Sequence, residues 1–122
     1  MLNLHWRECR SAARQGRLKY KQFQQLLEAA SAANRWDRIQ HWTLPLLQFA
    51  IPDGEREGSA VACAAWLLQQ RYPELARRCL ELVSWQDADA QTWHLRSCVA
   101  KSLGLEAEEQ QHLIRTLVLP GG

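Results

Sequence analysis

Residues 60–83 read AVACAAWLLQQRYPELARRCLELV, and the architecture follows from how this stretch bends. Val61, Ala62, Ala65 and Leu68 fall along one side of a helical period, while Ala60, Cys63, Ala64 and Leu67 extend the apolar surface almost all round. Such a helix has to be covered on several sides, and residues this small let neighbouring backbones come close. The pattern stops at Arg71-Tyr72-Pro73. Pro73 suits a first helical position, where a missing N–H is no loss, and Glu74 suits the positive helix start. Beyond it Leu75, Ala76, Cys79, Leu80 and Val83 face inward, with Arg77, Arg78 and Glu81 outward. The stretch is a helical hairpin with Tyr72 placed to wedge between its arms. It is a scaffold and not a catalytic device.

On the N-terminal side, Leu2 to Gln15 carries Leu2, Trp6, Cys9 and Ala13 on one stripe and Arg7, Arg10, Arg14 and Arg17 on another, before Gly16 ends the helix. A second helix runs from Lys19 to Asn34 with Tyr20, Phe23, Leu26, Leu27, Ala30 and Ala33 apolar. Asn34-Arg35-Trp36-Asp37 is a turn with Asp37 as cap. The third helix, Arg38 to Ala50, is expected to kink or break at Pro45. Ile51-Pro52-Asp53-Gly54, continuing to Gly58, is expected to be a long loop.

On the C-terminal side, Ser84-Trp85-Gln86-Asp87 is a turn with Asp87 as the next cap, followed by a helix from Ala88 to Leu103 carrying Trp93, Leu95, Val99 and Leu103. Gly104 ends it. Glu106, Glu108 and Glu109 open the last helix, which Leu113, Ile114, Leu117 and Val118 are expected to bury, and residues 119–122 fray. No segment alternates with period two, so no strand is expected. The expectation is one all-α domain over residues 1–122, of about seven helices stacked as antiparallel hairpins: a basic N-terminal helix over 1–18, then hairpins over 19–118.

Composition narrows the function classes. With 47% hydrophobic and 23% charged residues, the chain has the balance of a folded domain and not of a disordered one. No apolar run approaches the roughly 18 residues of a membrane span, and MLNLHWRECR has charges where a signal peptide is apolar, so a cytoplasmic protein is expected. Cys9, Cys63, Cys79 and Cys98 stand far apart, which predicts buried free thiols in a reducing compartment. Residues 1–38 hold eight Arg or Lys against three acidic groups, whereas residues 86–122 hold three against five.

Little of this points to chemistry. His94 and Cys98 are spaced as two metal ligands on one helix face, with His112 or Cys79 the only additions and no second close pair. Nothing sets a Cys beside a His for nucleophilic attack, and there is no Gly-rich phosphate loop. No enzyme activity, metal or cofactor is expected. The row Arg7, Arg10, Arg14 and Arg17, followed by Lys19 and Lys21 and interleaved with Trp6 and Tyr20, fits nucleic-acid phosphates and bases, or equally a solvated face or an acidic protein. Of the tryptophans, Trp36, Trp66 and Trp93 suit helix crossings, and Trp42 and Trp85 suit exposed anchors.

Laying the bends over one another aligns Trp36, Tyr72 and Leu105, which are 36 and 33 residues apart. The spacing resembles the tetratricopeptide period of about 34, over residues 20–118. The Ala-rich helix, Arg71-Tyr72, Cys79-Leu80, Thr92-Trp93-His94-Leu95, Ser102-Leu103-Gly104-Leu105 and Leu113-Ile114-Arg115 resemble, more narrowly, the tetratricopeptide-like chaperones of type III secretion needle subunits. That resemblance implies a non-catalytic, virulence-associated chaperone in a protein complex, cradling an amphipathic helix of a small partner. The groove would then be lined by Gln24, Leu27, Ser31, Ala60, Ala64, Leu67, Trp93 and Ser97. The alternative is a nucleic-acid-associated helical protein using the Arg7 to Arg17 face.

Overall fold

The computed structural model describes residues 2–84 and 88–118, with side chains at 7–84, 88–105, 111 and 113–118. Several expectations lie outside these residues: the cap at Asp87, the Trp85 anchor, the Leu2 and Trp6 side chains, the acidic side chains Glu106, Glu108 and Glu109, the His112 ligand and the tail over 119–122. Among the described residues there is no strand, and the elements are α1 (Leu2–Arg14), α2 (Tyr20–Ala32), α3 (Trp36–Pro45), a π-helical turn (Leu46–Ala50), α4 (Asp53–Gln69), α5 (Pro73–Leu80), α6 (Ala90–Ser102) and α7 (Glu106–Val118). Among the described residues the fold is all-α, with seven α-helices. Its contacts gather into two compact units, 1–59 and 60–122, the division falling inside α4.

In the first unit α1 packs on α2 and on the π-helical turn, and α2 packs on α3. Cys9, Leu18, Phe23, Leu27, Ile39, Leu47 and Ile51 are fully buried. Helix α1 ends because Gly16 takes φ +67°; Arg17 then donates its N–H to Ala12 O at 2.9 Å and Gly16 donates to Ala13 O at 3.2 Å. The pair of bonds satisfies carbonyls that a helix end leaves orphaned. Asn34 does the same for α2 at φ +57°, and the chain re-enters helix at Trp36, two residues earlier than expected. Asp37 is therefore not the cap. It sits in the first turn of α3, where Arg35 Nε and a terminal guanidinium nitrogen grip both its oxygens at 3.1 and 3.0 Å. The hydrogen bonds from Arg35 are the main cause of its lowered pKa.

Pro45 neither breaks α3 nor leaves it unchanged. Lacking an N–H, it cannot bond the His41 carbonyl, and its ring crowds that carbonyl. The chain answers by widening: the next turn closes with Ile51 N–H on Leu46 O, five residues back, at 3.1 Å. Nearby, buried Thr43 directs its hydroxyl to Ile39 O at 2.6 Å. The end of the helix leaves Leu47 O and Ala50 O to outside donors, Arg56 Nε at 3.1 Å and Leu18 N–H at 2.9 Å.

The long loop expected from Ile51 to Gly58 is the largest error, since α4 already starts at Asp53. Gly54 and Gly58 sit on its open face, where a Cβ would meet nothing within 4 Å. Their cost as helix residues is therefore intrinsic propensity alone, about 1 kcal/mol each, which a long helix held by a buried face tolerates. Asp53 and Glu55 favour the helix start, and Arg56 pairs with Asp53.

In the second unit the expected hairpin is present. Arg71 takes φ +68°, Tyr72 donates its N–H to Leu67 O at 2.9 Å, and Pro73 opens α5. The arms meet through their thiols, Cys63 of α4 sharing a hydrogen bond with Cys79 of α5. Helix α5 packs on α6 and α6 on α7, and an Arg96 guanidinium nitrogen reaches Leu80 O at 3.3 Å past the end of α5. The cap of α6 is Asp89, whose carboxylate accepts the Thr92 N–H and the Thr92 hydroxyl, both at 2.8 Å. Gly104, at φ +75°, ends α6.

Arg71 holds a left-handed conformation that a Cβ disfavours, while Gly104 holds one that glycine adopts freely. Arg71→Gly is expected to raise stability by about 1 kcal/mol and Gly104→Ala to lower it by about as much, read as urea midpoints; equal midpoints would contradict the assignment. Asp89 offers a second check. Its pKa is held down by Thr92, so its contribution is present above the unfolded carboxylate value and is lost as pH falls through the lowered one. Asp89→Ala should cost about 1 kcal/mol near neutral pH, and the difference from the parent should shrink below about pH 4.

Candidate functional site

The residues expected to line a groove are mostly inside the protein. Leu27, Ala60, Ala64, Leu67 and Ser97 are buried, and only Gln24, Ser31 and Trp93 are partly exposed. Ala60, Ala64 and Leu67 of α4 lie in the core, as small and aliphatic side chains on a helix that is apolar almost all round do. Gln24 is in addition hydrogen-bonded to Glu28 at 3.0 Å.

Trp93 has a different surrounding. Two guanidinium groups lie over its ring, Arg96 of α6 at 5.8 Å and Arg115 of α7 at 5.7 Å from the centroid. Each contributes on the order of 0.5–1 kcal/mol at such partly wet sites, and the Arg115 contact ties α7 to α6. Trp42 is covered in the same manner by Arg38, at 5.7 Å. Trp36, Trp42, Trp66 and Trp93 are all half-buried, so the expected split between packed and exposed tryptophans does not hold among them.

The apolar side chains that reach water lie elsewhere. Leu113, Ile114, Leu117 and Val118 were expected inside, yet they are 37%, 60%, 84% and 69% exposed. They form two ridges on α7, Leu113 with Leu117 and Ile114 with Val118, each pair four residues apart and thus on one side of the helix. Their sequence pattern is that of a buried helix. What the pattern omits is a covering element, because α7 is the last helix described. Phe49, 78% exposed on the π-helical turn, was missed altogether. Leu47 and Ala50, three residues apart, share the buried side, and Phe49 between them falls roughly 100° or more away from each, a position that helical periodicity does reveal.

The basic face is open as expected. Arg7, Arg10, Arg14 and Arg17 are all exposed, and a cavity of about 400 Å³ is lined by Arg7, Arg10, Ser11, Arg14 and Gln15.

The remaining chemistry is modest. His94 Nε2 and Cys98 Sγ are 3.8 Å apart on α6, but no group of three or more possible ligands assembles among the described residues. Cys9, Cys63 and Cys79 are buried, Cys98 half-buried, and all four are free thiols. The hydrogen bond with Cys79, then burial, pushes the Cys63 pKa up; burial, then Glu8, raises that of Cys9. Thiols so placed stay protonated and unreactive. No described helix is long and apolar enough to cross a membrane.

No family model matches the chain, and no curated protein or solved structure matches it.

A chromogenic thiol reagent should modify Cys98 first in the native protein and all four cysteines after unfolding; rapid native modification of Cys63 or Cys79 would contradict the buried pair.

Proposed function

We propose that the chain is a non-catalytic protein-binding module that holds an amphipathic partner helix, acting in the cytoplasm as a secretion-system chaperone or assembly adaptor. The observation that carries this reading is the exposed double ridge of Leu113, Ile114, Leu117 and Val118 on α7. Two ridges with a four-residue spacing form the surface into which the ridges of another helix interdigitate. The face is bordered by exposed Gln111 and Arg115, as a helix-binding stripe is bordered by polar residues. The partner is therefore taken to be a helix whose own apolar stripe is otherwise prone to aggregation. Likeness of the second half to the chaperones of type III secretion needle subunits supports the same reading. The contact surface proposed is the outer face of α7, not the groove lined by Ala60, Ala64 and Leu67.

Ile114→Asp and Leu117→Asp are expected to abolish binding of the purified native partner, with Tm and helix content unchanged because both side chains are exposed. The partner's turbidity on its own should fall when an equal amount of the parent protein is added. Undiminished binding by both variants would sink the reading. So would a concentration-dependent dimer that these substitutions dissolve, since a second copy would then be what covers α7.

A further inference from the structure

The basic helix of the first unit ends against the backbone of the turn that carries exposed Phe49. Arg7, Arg10, Arg14 and Arg17 are exposed, and none of their guanidinium groups is held by an ion pair or hydrogen bond to a described residue. At about 1.5 Å of rise per residue, the three arginines of the cavity span roughly 10 Å of α1. Glu8 is the single carboxylate among residues 1–17, and Lys19 and Lys21, both exposed, continue the positive surface. Ser11 and Gln15 add neutral hydrogen-bonding groups to the cavity wall.

At the far end of this row the left-handed turn at Gly16 brings the chain against the π-helical turn. Leu18 N–H bonds Ala50 O at 2.9 Å, and a Cβ placed on Gly16 would stand 3.8 Å from the Phe49 carbonyl oxygen. Phe49 projects from that turn, 78% exposed, while Leu47 and Ala50 beside it anchor the turn in the core. An isolated exposed phenylalanine is ordinary. One fixed at the end of a row of uncommitted guanidinium groups supplies the second component of a surface that binds strands: cations for the backbone and a flat ring for a base.

We propose that this face binds single-stranded nucleic acid, with Arg7, Arg10, Arg14 and Arg17 holding successive phosphates and Phe49 stacking on a base. The guanidinium fork suits phosphate oxygens, and the several-ångström steps between the arginines suit charges repeated along a chain. An acidic polypeptide would satisfy the arginines equally but has no group that requires the ring. Phe49 therefore decides between them.

The test uses the full-length chain and fluorescence anisotropy of labelled oligothymidylate and oligouridylate. With three or four phosphates engaged on a single strand, log affinity should fall against log salt with a slope of about −2 to −3, some 20- to 50-fold between about 50 and 200 mM. Arg7→Gln, Arg10→Gln and Arg14→Gln combined should flatten that slope by about 2. Phe49→Ala should weaken binding about tenfold and leave the slope unchanged, and Phe49→Trp should restore it. An abasic strand of the same length should bind the parent protein about as weakly as the parent strand binds Phe49→Ala, a comparison that needs no variant to fold. The proposal is overturned if the parent protein shows no salt-dependent binding, if the abasic strand binds as well as the intact one, or if polyglutamate of equal charge competes as strongly as the oligonucleotide. That last result would assign the face to an acidic protein.

Discussion

At the ends of α1, α2, α4 and α6 the same two hydrogen bonds recur: one residue takes a left-handed conformation and donates to a carbonyl three back, and the next donates to a carbonyl five back. Gly16, Asn34, Arg71 and Gly104 are those residues. Each stops a helix, satisfies carbonyls that would otherwise be stranded, and sends the chain back toward the helix just completed. Because the turn is compact, the next helix starts within a few residues and its apolar face meets that of its predecessor. Packing of α1 with α2, of α2 with α3 and of α6 with α7 depends on this geometry. Two of the four positions are not glycine, so the hairpins are held there against a local preference by the burial that the turn makes possible.

At the central bend that burial centres on a thiol contact. Cys63 and Cys79 face each other with Ala60, Ala64 and Ala76 also buried, so the α4–α5 hairpin combines small side chains and sulfur with buried Leu67, Leu75 and Leu80. Such an interior brings backbones close and gains from dispersion over many short contacts.

Much of this was legible. The helical hairpin at 60–83 was evident because Pro73, the small-residue run and the inward stripe of α5 all agree, and Gly16 and Gly104 marked helix ends because glycine is the residue that left-handed closure favours. The register of the bends was nearly right; Asn34, Arg71 and Gly104 are the equivalent positions, which pairs Arg35, not Trp36, with Tyr72 and Leu105. Elsewhere local composition misled. Pro52, Gly54 and Gly58 look like a loop until α4 shows two glycines facing open space, where they disturb nothing. The site was harder. A stripe such as Leu113, Ile114, Leu117 and Val118 announces that it will be covered, but not by what, and the burial of Leu27, Ala64 and Ser97 depends on distances between helices that no single helix encodes. The arginine row was legible because its exposure follows from its own charge.

The π-helical turn at Leu46–Ala50 holds one residue more than an α-helical turn closing over the same span. A π turn is what an α-helix becomes when one residue is inserted and the ends stay put: the ladder absorbs the newcomer as a bulge. The carbonyls of Leu47 and Ala50, left open where the helix ends, are taken by Arg56 and Leu18. Removing one residue between Leu46 and Ala50 would return the turn to ordinary α-helical geometry, with the segments on either side keeping their places.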